Sequence, residues 1–152
     1  MEKKDLDWGN IGFSYMPTDK RYVANYKDGA WDEGGMTSDE CAGILQYCQE
    51  IFEGLKAYTT EDGSIVTFRP DLNAERMMDS ARRLEMPPFP KERFLEAVDQ
   101  VVKANAAWVP PFGSGATLYL RPYMFATGPV IGVKPSQEYQ FRLFGTPVGP
   151  YF

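Results

Sequence analysis

Thr117, Tyr119 and Arg121 recur two residues apart in Ala116 to Phe125, a segment rich in strand-forming residues that follows the turn Gly113-Ser114-Gly115. Side chains alternate along a strand, so these three share one face while Leu118 and Leu120 take the other. A guanidinium forks onto two oxygens, and a phenol hydroxyl beside it adds another donor. Tyr119 and Arg121 therefore suit a carboxylate. A second reading stays open, in which the face is wet and Arg121 makes an ordinary ion pair.

Other residues carry weaker chemistry. Arg76 lies between Glu75 and Met77 in a helical stretch, where spacing offers an i,i+3 pair with Asp79 worth about 0.2–0.5 kcal/mol. Lys56 sits in the aromatic-rich run Leu45 to Tyr58. An activated lysine needs a desolvated pocket or a cationic neighbour. With Leu55 and Ala57 on the opposite face and Glu53 close by, Lys56 reads as exposed. The chain has no histidine, which excludes histidine acid–base chemistry and Ser-His triads within it. Cys41 and Cys48 are too few for a disulfide framework or a zinc site. Gly128 to Val133 contains two glycines but no following helix, so it reads as an apolar contact loop rather than a phosphate loop.

These residues need elements to place them. Leu45 to Tyr58 reads as a short helical segment and then a strand, broken at Gly54. Tyr47, Phe52 and Tyr58 surround that glycine, which can take a positive φ or admit another backbone. Arg21 to Lys27 and Ala30 to Glu33 form a hairpin across Asp28-Gly29, and Leu55 to Thr60 with Ile65 to Phe68 form a second. Pro70 opens a helix to about Leu84, with Leu72, Met77, Ala81 and Leu84 inward and Pro87-Pro88 as its stop. Pro90 opens another, with Phe94, Val98, Val101, Val102 and Ala106 as its apolar stripe. After the Arg121 strand, a loop from Thr127 to Pro135 leads to a last strand, Glu138 to Pro147. The order predicts an α+β fold, a largely antiparallel sheet with two main helices packed on one side.

Composition narrows the setting. At 152 residues the chain reads as one domain, and its net charge of −5 argues against a nucleic-acid partner. There is no 18-residue apolar run and no apolar leader near the start, so no membrane partner is expected. Free thiols in a reducing cytoplasm are the expectation for the two cysteines. Pro147 to Phe152 reads as a strand running into a linker.

Five segments, taken in order, carry a family resemblance: Leu45-Gln46-Tyr47, Phe52 to Tyr58, Phe68 to Met77, Leu118 to Pro122, and Gly128 to Val133 through Pro147 to Phe152. From about Phe13 onward the chain resembles the N-terminal small domain of the branched-chain amino acid aminotransferases, pyridoxal-phosphate enzymes of fold type IV. The resemblance implies a cytoplasmic homodimer that moves the amino group of leucine, isoleucine or valine to 2-oxoglutarate. It implies that Arg76 holds the phosphate of pyridoxal 5'-phosphate, and that Tyr119 and Arg121 contact the side-chain carboxylate of glutamate. Tyr47, Phe52 and Phe13 would wall the apolar pocket, and Ile131 and Val133 would reach into the partner subunit's site. In that family the catalytic lysine belongs to a second domain beyond the linker. Residues 1–152 are thus expected to hold no catalytic residue, to need their own C-terminal domain, and to be inert and without cofactor alone. D-amino acid transaminases, aminodeoxychorismate lyases and a non-catalytic binding domain are the rivals. The Tyr119/Arg121 pair and Phe52-Glu53-Gly54 favour the branched-chain enzymes. Met36 to Cys41 is shorter than the family's stretch, which implies a deletion or omitted residues near Asp39-Glu40.

Overall fold

The computed structural model describes residues 24–27, 30–33 and 39–149. Strands β1 (Ala24–Lys27) and β2 (Ala30–Glu33) pair as the antiparallel hairpin expected across Asp28-Gly29. A short helix, α1 (Gly43–Tyr47), precedes β3 (Glu50–Phe52), β4 (Leu55–Thr59) and β5 (Ile65–Thr67). Two 14-residue helices follow, α2 (Pro70–Arg83) and α3 (Lys91–Ala104), then the long strands β6 (Thr117–Ala126) and β7 (Tyr139–Val148). No helix among the described residues is long and apolar enough to cross a membrane.

β6 is the axis of a five-stranded antiparallel sheet. One of its edges pairs with β7 over ten residues. Its other edge pairs with β3 at Tyr123 to Phe125 and with β4 at Leu118 to Leu120. The register does not slip between β3 and β4, and the Glu53 N–H still donates to the Pro122 carbonyl at 2.8 Å. β3 and β4 are therefore one strand interrupted at Glu53-Gly54. β5 covers only Ala57 to Thr59, so the β4 edge at Leu55 and Lys56 stays open.

Alternation along β6 sorts the sheet faces as the spacing predicts. Leu118, Leu120, Pro122, Met124 and Ala126 are buried, and Tyr119, Arg121, Tyr123 and Phe125 are half-buried on the other side. The buried row packs with Ala74, Met77 and Ala81 of α2 and with Phe94 and Val98 of α3, so both helices cover one face. Phe141 of β7 completes that layer, stacked 3.8 Å from Phe89 and tilted against Phe94 at 6.3 Å. Truncating Phe94 to Ala is expected to cost about 3–5 kcal/mol.

α2 begins as Pro70 dictates, with Asp71 in its first turn and Arg82 and Arg83 in its last, charges that suit the helix dipole. Its end falls where the sequence put it, at Arg83 with Leu84 as the cap, but a backbone turn rather than Pro87-Pro88 closes it. The helix stops before the prolines, where Glu85 takes a φ of 55°. The Met86 N–H reaches the Ala81 carbonyl and the Glu85 N–H reaches that of Arg82, a Schellman closure that buries Met86. Leu72 and Leu84 are not core residues, being 48% and 42% exposed. Ala74, Met77 and Ala81, spaced i, i+3 and i+7, form the inward stripe, and Leu72 falls outside it. Ala106 likewise leaves the α3 stripe and is exposed, in the 3-10 turn Ala106–Trp108.

Candidate functional site

Three of the expected site residues meet on the open face of the sheet. The Arg121 guanidinium lies 4.4 Å from the centre of the Phe52 ring and 5.3 Å from that of Tyr119. Its Nε and Nη2 donate to the Tyr119 hydroxyl at 3.1 and 2.9 Å. No carboxylate pairs with Arg121 among the described residues, so the ordinary ion-pair reading of this strand fails there. The phenol oxygen accepts from Arg121, which leaves its own hydrogen and the Nη1 edge to be given to an incoming group. A planar anion with two oxygens matches that set of donors.

Gly54 makes this packing possible. A Cβ there would lie 2.4 Å from the Tyr119 hydroxyl oxygen. The break at Gly54 is thus a close approach by a side chain across the strands rather than a positive φ.

The interrupted strand also holds a residue that spacing alone did not single out as functional. Glu53 is 4% exposed and takes Arg76 Nε and Nη2 at 2.6 Å each, with Asn73 Nδ2 at 2.8 Å. Burial pushes this carboxyl up, but the hydrogen bonds from Arg76 and Asn73, the Arg76 charge and the Gly54 N–H outweigh it and hold it below its ordinary value. Arg76 therefore does not pair with Asp79, which takes Arg82 at 2.7 Å instead. The far side of Arg76 faces solvent, its side chain being 68% exposed. Glu53 could have been suspected from its place in Phe52-Glu53-Gly54, an acid on the face that alternation sends inward.

Lys56 is corrected in part. It is half-buried, it is the cross-strand partner of Tyr119, and Glu53 lies on the opposite face. A pocket of about 260 Å³ lined by Gly54, Lys56, Phe68, Asn73 and Tyr119 opens at the uncovered β4 edge. It has the start of α2 on one side and Tyr119 on the other.

The remaining candidates form a second group. The Tyr47 hydroxyl donates to the Ile131 carbonyl, joining α1 to the loop after β6. That loop is pinned along α1 by Val130 N–H to Cys41 at 2.7 Å and Gly43 N–H to Gly128 at 3.3 Å. Val133 stands out at 89% exposure and Ile131 is 39% exposed, as a contact loop requires. Phe13 lies outside the described residues, as does Met36 to Ser38 of the shortened stretch. From Asp39 the chain turns, with Ala42 N–H on the Asp39 carbonyl and Cys41 N–H on its carboxylate.

The five-stranded antiparallel sheet with its paired helices is the small-domain fold of the fold type IV enzymes. A T.th. branched-chain aminotransferase in complex with N-(5'-phosphopyridoxyl)-L-glutamate superposes with a TM-score of 0.60 at 26% identity, covering 72% of this chain and 35% of that one. The same T.th. enzyme with pyridoxamine 5'-phosphate gives 0.63 over 86% of this chain and 41% of that one, at 24% identity. No protein-family model matches the chain. In sequence it is 55% identical to the branched-chain-amino-acid aminotransferase of Haemophilus influenzae over 98% of its length, and 47% identical to that of Helicobacter pylori over 98%. The chain is thus similar over nearly its whole length to branched-chain aminotransferases, and it spans a little under half the length of these two curated relatives, 45% and 46%.

Proposed function

We propose that this chain is the N-terminal small domain of a two-domain, homodimeric cytoplasmic aminotransferase. That enzyme moves the amino group of leucine, isoleucine or valine to 2-oxoglutarate. Within it, Tyr119 and Arg121 receive the side-chain carboxylate of glutamate or 2-oxoglutarate, and Phe52 and Tyr47 offer apolar wall to a branched side chain. Ile131 and Val133 extend toward the partner subunit. The single observation that carries the reading is Arg121, laid over Phe52 and bonded to Tyr119 without a carboxylate of its own among the described residues. One site that accepts an apolar side chain and then a carboxylate needs a charge of this kind, left uncompensated beside an aromatic surface.

Pyridoxal phosphate supplies the electron sink for such a transfer when bound. The residues present fit its phosphate: Arg76 keeps three N–H hydrogens free on an exposed edge, one helical turn after Asn73, which lines the same pocket as Tyr119. The catalytic lysine is assigned to the second domain, so residues 1–152 alone are expected to be inactive.

Single-turnover amino-group transfer by the whole enzyme tests the proposal. Transfer from L-leucine, L-isoleucine, L-valine and L-glutamate is expected. Transfer from D-alanine with none from the branched-chain L-amino acids would overturn it.

A further inference from the structure

Glu53 is the most buried carboxylate among the described residues, yet its main partner is a largely exposed arginine. We propose that Glu53 is a positioning residue for anion binding by Arg76: it grips one edge of the guanidinium from inside the protein and so aims the other edge outward as a fixed phosphate clamp. The proposal rests on the reading of Arg76 as the phosphate contact.

The grip is rigid at its root. The Glu53 N–H is held in the sheet ladder by the Pro122 carbonyl at 2.8 Å. Its carboxylate also takes Asn73, one helical turn before Arg76, and Asn73 is steadied by the Gly54 carbonyl at 3.3 Å. Both Arg76 contacts to Glu53 use the Nε/Nη2 edge at 2.6 Å, so the guanidinium plane is set by two bonds rather than one. A free arginine side chain carries about 2 kcal/mol of rotamer entropy. Glu53 removes that freedom before any ligand arrives, which lowers what binding must order.

Charge and geometry make opposite predictions here. The Glu53 carboxylate is negative and repels a phosphate dianion. If Arg76 acted only as a charge, neutralising Glu53 would tighten phosphate binding. If Glu53 acts by orientation, neutralising it loosens binding. An amide offers one acceptor oxygen and turns an NH2 donor against the guanidinium donors, so Glu53→Gln breaks the two-point grip.

The test is equilibrium titration of the whole apoenzyme with pyridoxal phosphate, followed by absorbance, with inorganic phosphate as a second probe. Glu53→Gln is expected to weaken both by roughly 10-fold, the low end of what removing a ligand-orienting partner does at metal sites. The loss should vanish in an Arg76→Ala background, since no guanidinium remains to orient. Unchanged or tighter binding in Glu53→Gln overturns the proposal, and so does an equal loss in the Arg76→Ala background. If Arg76→Ala itself binds both probes like the wild type, the phosphate reading of Arg76 falls, and this proposal with it. Should Glu53→Gln fail to fold, Glu53→Asp keeps the charge but loses a methylene of reach, and the same cycle then decides.

Discussion

Arg76 is gripped through two hydrogen bonds by a carboxylate that is 4% exposed, whereas Arg121 lies over the Phe52 ring and donates to the Tyr119 hydroxyl. The same guanidinium thus stands once in a neutralised pair and once with its charge uncompensated among the described residues. A pair fixed by a buried acid has one geometry and two of its five N–H donors committed, which suits a group that stays bound. An arginine held by ring faces and a phenol keeps its charge, which suits a carboxylate that must enter and leave. Both settings depend on Glu53-Gly54: the acid turns inward to α2, and the missing Cβ lets Tyr119 close over the strand on the other face.

The contrast breaks most sharply at Arg121. Arg121→Gln is expected to slow the half-reaction with glutamate by roughly 10²-fold, two charged hydrogen bonds being at stake. The half-reaction with leucine should lose less than about 10-fold, since no side-chain carboxylate is then present. Equal losses in single-turnover kinetics would make Arg121 structural. Next comes Arg76→Ala, expected to loosen the cofactor by about 1.5–3 kcal/mol while leaving the glutamate-to-leucine ratio of rates unchanged. A changed ratio would mean that the two arginines do not divide the work.

A smaller effect probes the junction between them. Gly54→Ala should destabilise the protein by about 1–3 kcal/mol, because its Cβ and the Tyr119 hydroxyl cannot both keep their places. It should impair glutamate more than leucine, and thermal unfolding with paired kinetics reads both.

The two sites should also differ in acid. The Glu53 carboxyl lies below its ordinary value of 4.5 in the folded protein, so its contribution is complete above that value and is lost as pH falls through the lower folded value. Denaturant unfolding between pH 6 and about 3 should show this loss in the wild type and a flatter limb in Glu53→Gln. An identical slope in both would contradict the assignment. The smallest effect belongs to the pair that Arg76 does not make. Arg82→Ala removes an exposed contact to Asp79 and should change stability by less than about 0.5 kcal/mol.

Much of this arrangement could be read from the chain. Alternation over Leu118 to Arg121 assigned the two faces of β6, since neighbouring side chains of a strand must point oppositely. Pro70 and Pro90 marked both helix starts, Pro70 as the first helical residue and Pro90 as the cap just before α3, where a ring that fixes φ and lacks an N–H is tolerated. The Asp28-Gly29 hairpin followed from turn chemistry. The resemblance to the branched-chain enzymes, carried by ordered segments, also named Tyr119, Arg121 and Arg76.

Tertiary packing decided the rest. Apolar type pointed to Leu72, but docking set α2 with Ala74, Met77 and Ala81 inward, a phase of the helix that leaves Leu72 outside. Local spacing offered Arg76 the nearby Asp79, but a buried carboxylate on another element offers a stronger, desolvated partner than a wet neighbour on the same helix. Lys56 looked exposed until β4 met β6 and set it opposite Tyr119. Even Gly54, visible as a break, shows its purpose only once Tyr119, 65 positions along the chain, is folded across it. Contacts of that range belong to strand register, which no local window of residue types contains.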